Sequence, residues 1–168
     1  MSDIDLIGSI EDEDEENTAD NQYLLCKLDR EEYGINIADV QSIEELQTIV
    51  AVPDMPPYVK GVINLRGQVI PVIDMRLKLA MPDREYDDRN CIVIAKIGNS
   101  NIGLIVDTVS EVVTIQEKNI EPAPAFKSGT TKGNYISGIG KLGDEVKILL
   151  QVSRLIDDTE IEEIQTMA

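Results

Sequence analysis

Two glycine-bearing turns and a scatter of carboxylates are the residues whose types and spacing could do chemistry in this sequence. Gly138-Ile-Gly140-Lys-Leu-Gly143 has the Gly-x-Gly-x-x-Gly spacing with which dinucleotide sites bring backbone N–H groups to a pyrophosphate. That mechanism needs a helix N-terminus directly after the glycines. Here they lead into Val146-Lys-Ile-Leu-Leu-Gln-Val152, an apolar β-branched run, so the segment is predicted to be a hairpin with glycines at positive φ. Asn64-Leu65-Arg66-Gly67 is a second predicted hairpin turn, because Asn and Gly tolerate left-handed backbone. Arg66 at its tip is either a solvated turn residue or a planar fork that holds a carboxylate at an interface.

The remaining candidates have structural readings. Asp74 is predicted to cap a short helix, Asp107 to end a strand in a turn, and Asp87-Asp88 to lie in a loop between two halves. The chain has no histidine, which excludes Ser-His-Asp and Cys-His catalysis and most zinc sites. With no paired carboxylates in view, we expect no enzymatic activity, no metal and no cofactor. Cys26 and Cys91 form no Cys-x-x-Cys pair and sit among apolar residues, so they are read as buried small hydrophobes in a reducing compartment.

The 168 residues carry a formal charge of −17, with 15 basic against 32 acidic side chains. Residues 1–20 hold nine acids and no base, and residues 157–168 hold five acids and no base, which leaves −3 for residues 21–156. Nucleic-acid binding is excluded, because phosphate recognition needs clustered Lys and Arg. Residues 1–20 are predicted to be a disordered acidic tail, since Glu11 to Glu16 is an unbroken run of like charge. Residues 157–168 are predicted to be a short C-terminal helix or tail, with Thr159-x-x-Glu162 as a capping box ahead of Ile161 and Ile164. There is no signal-peptide pattern and no apolar run long enough to span a bilayer, so a cytoplasmic protein without direct membrane insertion is expected.

Between the tails the texture is that of short strands: Ile and Val make up 37 residues, interrupted at short intervals by Gly, Pro, Asn or Asp. Ten strands are predicted, at Tyr23–Leu28, Tyr33–Ile37, Val40–Leu46, Gly61–Leu65, Val69–Ile73, Cys91–Ile97, Ile102–Val106, Val109–Ile115, Tyr135–Ile139 and Val146–Val152. Short helical turns follow Asp74 and Ser153. Tyr33 to Ile43 lies over Ile102 to Val112 without a gap at an offset of 69, with Gly34 on Gly103 and Val40 on Val109. Gly61 to Val69 lies over Gly138 to Val146 at an offset of 77, so the second half holds eight extra residues, expected within Pro122 to Asn134. Such agreement points to an internal duplication. The predicted architecture is all-β, with residues 21–156 forming two pseudo-duplicated five-stranded β-barrels side by side and a groove between them.

Glu31-Glu-Tyr-Gly-Ile-Asn-Ile37 and Tyr58-Val-Lys-Gly-Val-Ile-Asn-Leu-Arg-Gly-Gln-Val-Ile-Pro-Val-Ile-Asp-Met-Arg76 resemble CheW, the bacterial chemotaxis coupling family. Gly103 to Val113, Ile120 to Phe126 and Tyr135 to Gly143 carry the resemblance through the second half, over about residues 22–156 in all. The resemblance implies a non-catalytic adaptor of the double-barrel fold. It would bind the cytoplasmic hairpin tip of chemoreceptors and the regulatory domain of the histidine kinase CheA, in arrays recruited to the inner membrane. On the family pattern, Val40, Gly61, Arg66, Val109 and Val112 fall in the receptor-binding groove. Asn64, Leu65 and Gly67 form the turn at a kinase or receptor interface. The family pattern also has an acid two positions after Val40, where this chain has Ser42 followed by Glu44 and Glu45. Arg66 therefore either pairs with one of these glutamates or is free for an intermolecular carboxylate. The alternative to the adaptor is a stand-alone β-barrel that binds a small ligand.

Overall fold

The computed structural model describes residues 21–122, 135–156, 160 and 162–164. The predicted acidic tail, the Thr159 cap and residues 123–134, which include most of the expected extra residues, lie outside the described residues. Among the described residues there are eleven strands: β1 (Gln22–Leu28), β2 (Glu31–Asn36), β3 (Val40–Glu45), β4 (Val59–Leu65), β5 (Gln68–Asp74), β6 (Cys91–Ile97), β7 (Ser100–Val106), β8 (Thr108–Thr114), β9 (Ile120–Pro122), β10 (Ile136–Leu142) and β11 (Glu145–Leu150). All ten predicted strands appear within a few residues of their expected ends. The unpredicted one, β9, is three residues long and contains a proline, too little for an alternating pattern to register. One α-helical turn, α1 (Met75–Lys78), follows Asp74, whose side chain accepts a 3.2 Å hydrogen bond from the Leu77 N–H, as predicted. The turn expected after Ser153 is a 3₁₀ turn over Val152–Arg154.

The strands form a six-stranded sheet ordered β8-β1-β2-β11-β10-β9 and a five-stranded sheet ordered β3-β6-β7-β5-β4. Both are open among the described residues, which corrects the expectation of closed barrels. The halves also do not fold as separate units. The β1–β2 hairpin of the first half lies between β8 and β11 of the second, and β6–β7 lies between β3 and β5 of the first. Strands that a self-contained half would use to close on itself are instead paired across the halves.

This exchange supports the duplication. Replacing β1, β2, β8, β10 and β11 by their offset counterparts β6, β7, β3, β4 and β5 turns one sheet order into the other. The registers follow. Gly34 faces Leu149 across the parallel β2–β11 pair, and Gly103 faces Val72 across the parallel β5–β7 pair. A Cβ at Gly34 would lie 2.7 Å from Leu149, and one at Gly103 would lie 2.6 Å from Val72, so each glycine admits the same close approach. A fragment of residues 21–88 is accordingly expected to show no cooperative thermal transition by circular dichroism, because β1 and β2 lose both outer neighbours. A sharp transition would refute this interdependence.

Leu24, Cys26 and Leu28 of the larger sheet and Val93, Ala95 and Leu104 of the smaller one share a core between the sheets. The opposite face of the smaller sheet buries Ile63, Ile70, Val72, Ile92, Ile94 and Ile105. Side chains alternate between faces along a strand, so a strand buried on both faces reads as a continuous apolar run, which is why β6 contains Ile92-Val-Ile-Ala95.

Candidate functional site

The Asn64-Leu-Arg-Gly67 turn joins β4 to β5. Arg66 and Gly67 take the left-handed backbone, at φ 52° and 87°, and Asn64 stays extended and accepts a 2.9 Å hydrogen bond from the Gly67 N–H. A non-glycine residue at positive φ carries a cost, and here it lifts Arg66 to the tip with its side chain 67% exposed. Leu65 faces the other way, into the cluster around Ile63. Arg66 pairs with Glu44 of β3, its nitrogens 3.4–3.5 Å from the carboxylate oxygens. Ser42, Ile43 and Glu44 face Ile94, Val93 and Ile92 in unbroken register, so Glu44 lies on the same face as Ser42, one pleat further on. That is how an acid displaced by two positions still reaches the arginine. The contact is long, with Arg66 largely exposed and the Glu44 carboxylate buried, so Arg66 is the accessible partner of the pair and screens a glutamate withdrawn from water.

Gly61 is a seat for the loop before β4. Its φ is 144°, and a Cβ there would lie 2.0 Å from the Val50 carbonyl oxygen. Val50 and Val62 exchange two 2.9 Å backbone hydrogen bonds across this contact, and they hold Val50 out with 61% of its surface exposed.

The predicted valines lie on two equivalent edge strands. Val40 begins β3 opposite Ala95, and Val109 lies in β8 opposite Cys26. Each strand has a register shift just after its valine, between Val40 and Ser42 in β3 and between Val109 and Val112 in β8. In a regular strand, residues three apart point to opposite faces; one inserted residue restores them to the same face. Val109 and Val112 therefore both pack on the shared core, as do Val40 and Ile43. Ile43, the offset counterpart of Val112, belongs with the predicted set. The ungapped overlay of the halves contained that signal. Cys91 of β6 touches the Val109 backbone: burial raises its thiol, and the Val109 contact acts in the opposite direction. Both cysteines are free; Cys26 is buried as expected and Cys91 only half-buried, and burial first, then the neighbouring Cys91, push the Cys26 thiol up to about 12, which makes it a poor nucleophile.

Asp107 ends β7 in a bend, as expected, and is also the centre of a buried ion-pair cluster. Arg76 binds it through two hydrogen bonds of 2.8 and 2.7 Å, and also bonds the Asp29 carboxylate and the Pro82 carbonyl. The Asp29 N–H donates to Asp107 at 2.8 Å, and Arg84 approaches it at 3.4 Å. Burial alone would raise the Asp107 carboxyl, but the Arg76 guanidinium and the Asp29 N–H outweigh it and hold it below its ordinary value. The cluster joins the ends of β1, β5 and β7 to the segment connecting the halves. Sequence order hid it, because Asp29, Arg76 and Asp107 meet only after the halves exchange strands.

No group of three or more Cys, Asp or Glu that could hold a metal occurs among the described residues. The Gly138 segment is a hairpin as predicted, though only Gly143 has positive φ, at 63°. Gly138 and Gly140 lie inside β10, where a Cβ would meet the Glu121 carbonyl oxygen and the Ile115 side chain, each at 2.8 Å. A surface cleft lined by Gln68, Val69, Asn99, Ser100 and Asn101 measures about 270 Å³, and an open one lined by Lys60, Asp83, Arg84, Glu85 and Tyr86 about 350 Å³. No helix among the described residues is long and apolar enough to cross a membrane.

An arginine-tipped hairpin and two equivalent bulged edge strands stand on a frame held by ion pairs, the arrangement of a β-rich scaffold module. The CheW-like domain family matches residues 22–160, and the chain belongs to that family. It is 34% identical to the chemotaxis protein CheW of Klebsiella aerogenes over 90% of each chain. It is 45% identical to the chemotaxis protein CheW of Bacillus subtilis over 60% of this chain and 65% of that one. The crystal structure of the scaffolding protein TtCheW from Thermoanaerobacter tengcongensis superposes with a TM-score of 0.75 at 33% identity, covering 83% of this chain and 94% of that chain. This is a family of chemotaxis scaffolds and not of enzymes.

Proposed function

We propose that the chain is the coupling adaptor of a chemotaxis array, holding the cytoplasmic tip of a chemoreceptor and the regulatory domain of the kinase CheA together beneath the inner membrane. In this reading Val40, Val109 and Val112, joined by Ile43, supply the apolar part of the receptor groove. Gly61 sets its wall and Arg66 supplies its charge, with Asn64, Leu65 and Gly67 shaping the turn that meets receptor or kinase. The observation that carries the reading is the pair of equivalent bulged edge strands in a chain of this family. Ala95 beside Val40 and Cys91 beside Val109 lie four residues apart on β6, about 13 Å, which is close to the 10–12 Å diameter of a helix with its side chains. One helix of a receptor hairpin fits that spacing.

Adding the protein to receptor-bearing membranes and kinase is expected to change autophosphorylation in a receptor-dependent way. No change in that reconstitution would refute coupling. Arg66→Gln is expected to fold normally, since its amide can still donate to the buried Glu44 carboxylate, and to lose about tenfold or more in affinity for receptor or kinase, the worth of one charged hydrogen bond. Wild-type capture of both partners by this variant would remove Arg66 from the interface.

A further inference from the structure

We infer that Lys147, Glu32 and Ser110 form a positioning chain that fixes the bulge of β8 and thereby keeps Val109 and Val112 on one face. The chain lies on the face of the six-stranded sheet turned away from the shared core: Ile148 and Leu150 of β11 pack on that core, so Lys147 points the other way. The Lys147 side chain is 7% exposed and donates hydrogen bonds to Glu32 and to Glu145. Glu32 Oε2 accepts a 2.7 Å hydrogen bond from the Ser110 hydroxyl, which also lies 3.2 Å from the Leu25 carbonyl oxygen. Leu25 is the residue at which the β1–β8 ladder is interrupted. One line of polar contacts thus runs over β11, β2, β1 and β8, neighbours in the sheet order, and ends on the inserted residue.

The internal symmetry sets this chain apart: β3 has an equivalent bulge without it, so its role is to hold the β8 bulge in place and not to create it. At the counterpart positions the smaller sheet has Ile70, Asn101 and Gln41, which cannot form an ion pair, and Ile70 is simply core. A buried lysine where isoleucine packs is costly unless it is paired. Here Glu145 and Glu32 hold Lys147 protonated, and Lys147 and Ser110 in turn hold Glu32 ionised below its ordinary range. The line of contacts ends, through Ser110, on the edge strand that carries two of the proposed receptor contacts, and its effect on binding rests on the reading given above.

The test is residue-resolved amide hydrogen exchange on the full chain, with β3 as the internal control. Ser110→Ala and Lys147→Met are expected to speed exchange along Thr108–Thr114 about tenfold or more, and to leave Val40–Glu45 within about twofold of wild type. Ser110→Thr, which keeps the hydroxyl, is expected to restore protection. Unchanged β8 exchange, or equal loosening of β8 and β3, overturns the inference. Should Lys147→Met fail to fold, Ser110→Ala carries the measurement alone. Capture of a purified chemoreceptor cytoplasmic fragment by the same variants separates the two claims. Loosened β8 with undiminished capture leaves the positioning chain standing and removes Val109 and Val112 from the receptor groove.

Discussion

Arg76→Met is expected to destabilise the protein by about 3–5 kcal/mol, the usual cost of removing one member of a buried ion pair. The substitution keeps most of the side-chain volume but leaves Asp107 buried at 8% exposure without its cation, and releases Asp29 and the Pro82 carbonyl. For a domain of this size the melting temperature should fall by roughly 10 °C, measured by calorimetry. Replacing Asp107 by Asn in the same background should recover part of that loss, because the Asp29 N–H keeps an acceptor and no buried charge remains. The wild-type pair also sets a pH dependence. The folded Asp107 carboxyl titrates below its ordinary value of 3.8, so its contribution is present above that value and lost as the pH falls through the lower, folded one. Arg76→Met should therefore show a shallower loss of stability in acid than wild type. An unchanged melting temperature would mean that the cluster contributes no net stability.

Gly61→Ala is the second change with a large expected effect, because two costs coincide. At φ 144° a side chain brings strain of roughly 1–3 kcal/mol, and its Cβ would lie 2.0 Å from the Val50 carbonyl oxygen, a contact that only movement of the loop can relieve. The Val50–Val62 hydrogen bonds should break and the loop over residues 46–58 should become a site of proteolytic cleavage. Gly67→Ala is the matched control: its φ is 87°, but nothing lies within 4 Å of the added Cβ, so it carries the strain without the collision. Equal resistance of these two variants to protease and heat would refute the assignment of Gly61 as the seat of the loop. With the loop displaced as expected, a receptor-binding defect in Gly61→Ala arises from that displacement and not from a lost contact.

Most of the secondary structure was legible in the chain because each strand carries its own signal. Ile92-Val-Ile-Ala95 reads as a strand buried on both faces, Asp74 marks the start of a helical turn, and the overlay of Val40 on Val109 and Gly34 on Gly103 marks the duplication. The Asn64 turn was likewise readable, though the residue that joins Gly67 in the left-handed region is Arg66 and not Asn64. The family resemblance rested on the same local blocks, and the match over residues 22–160 follows from them.

Local signals do not encode which half a strand pairs with. A β-strand presents the same alternating or apolar face to any neighbour of the right register, so the sequence was equally compatible with two self-contained barrels and with the exchanged open sheets observed. Only the fold could decide that β1–β2 sits between β8 and β11, or that Arg76, Asp107 and Asp29 meet around a common charge. The bulges belong to the same class of information: an inserted residue is defined only against its partner strand, and it turns Val109 and Val112 to one face. By itself the sequence determined strands, turns, the repeat and the family. The tertiary structure alone decided the exchange of hairpins, the pairing of Arg66 with Glu44 and the facing of the edge valines, because each depends on contacts between residues far apart in the chain.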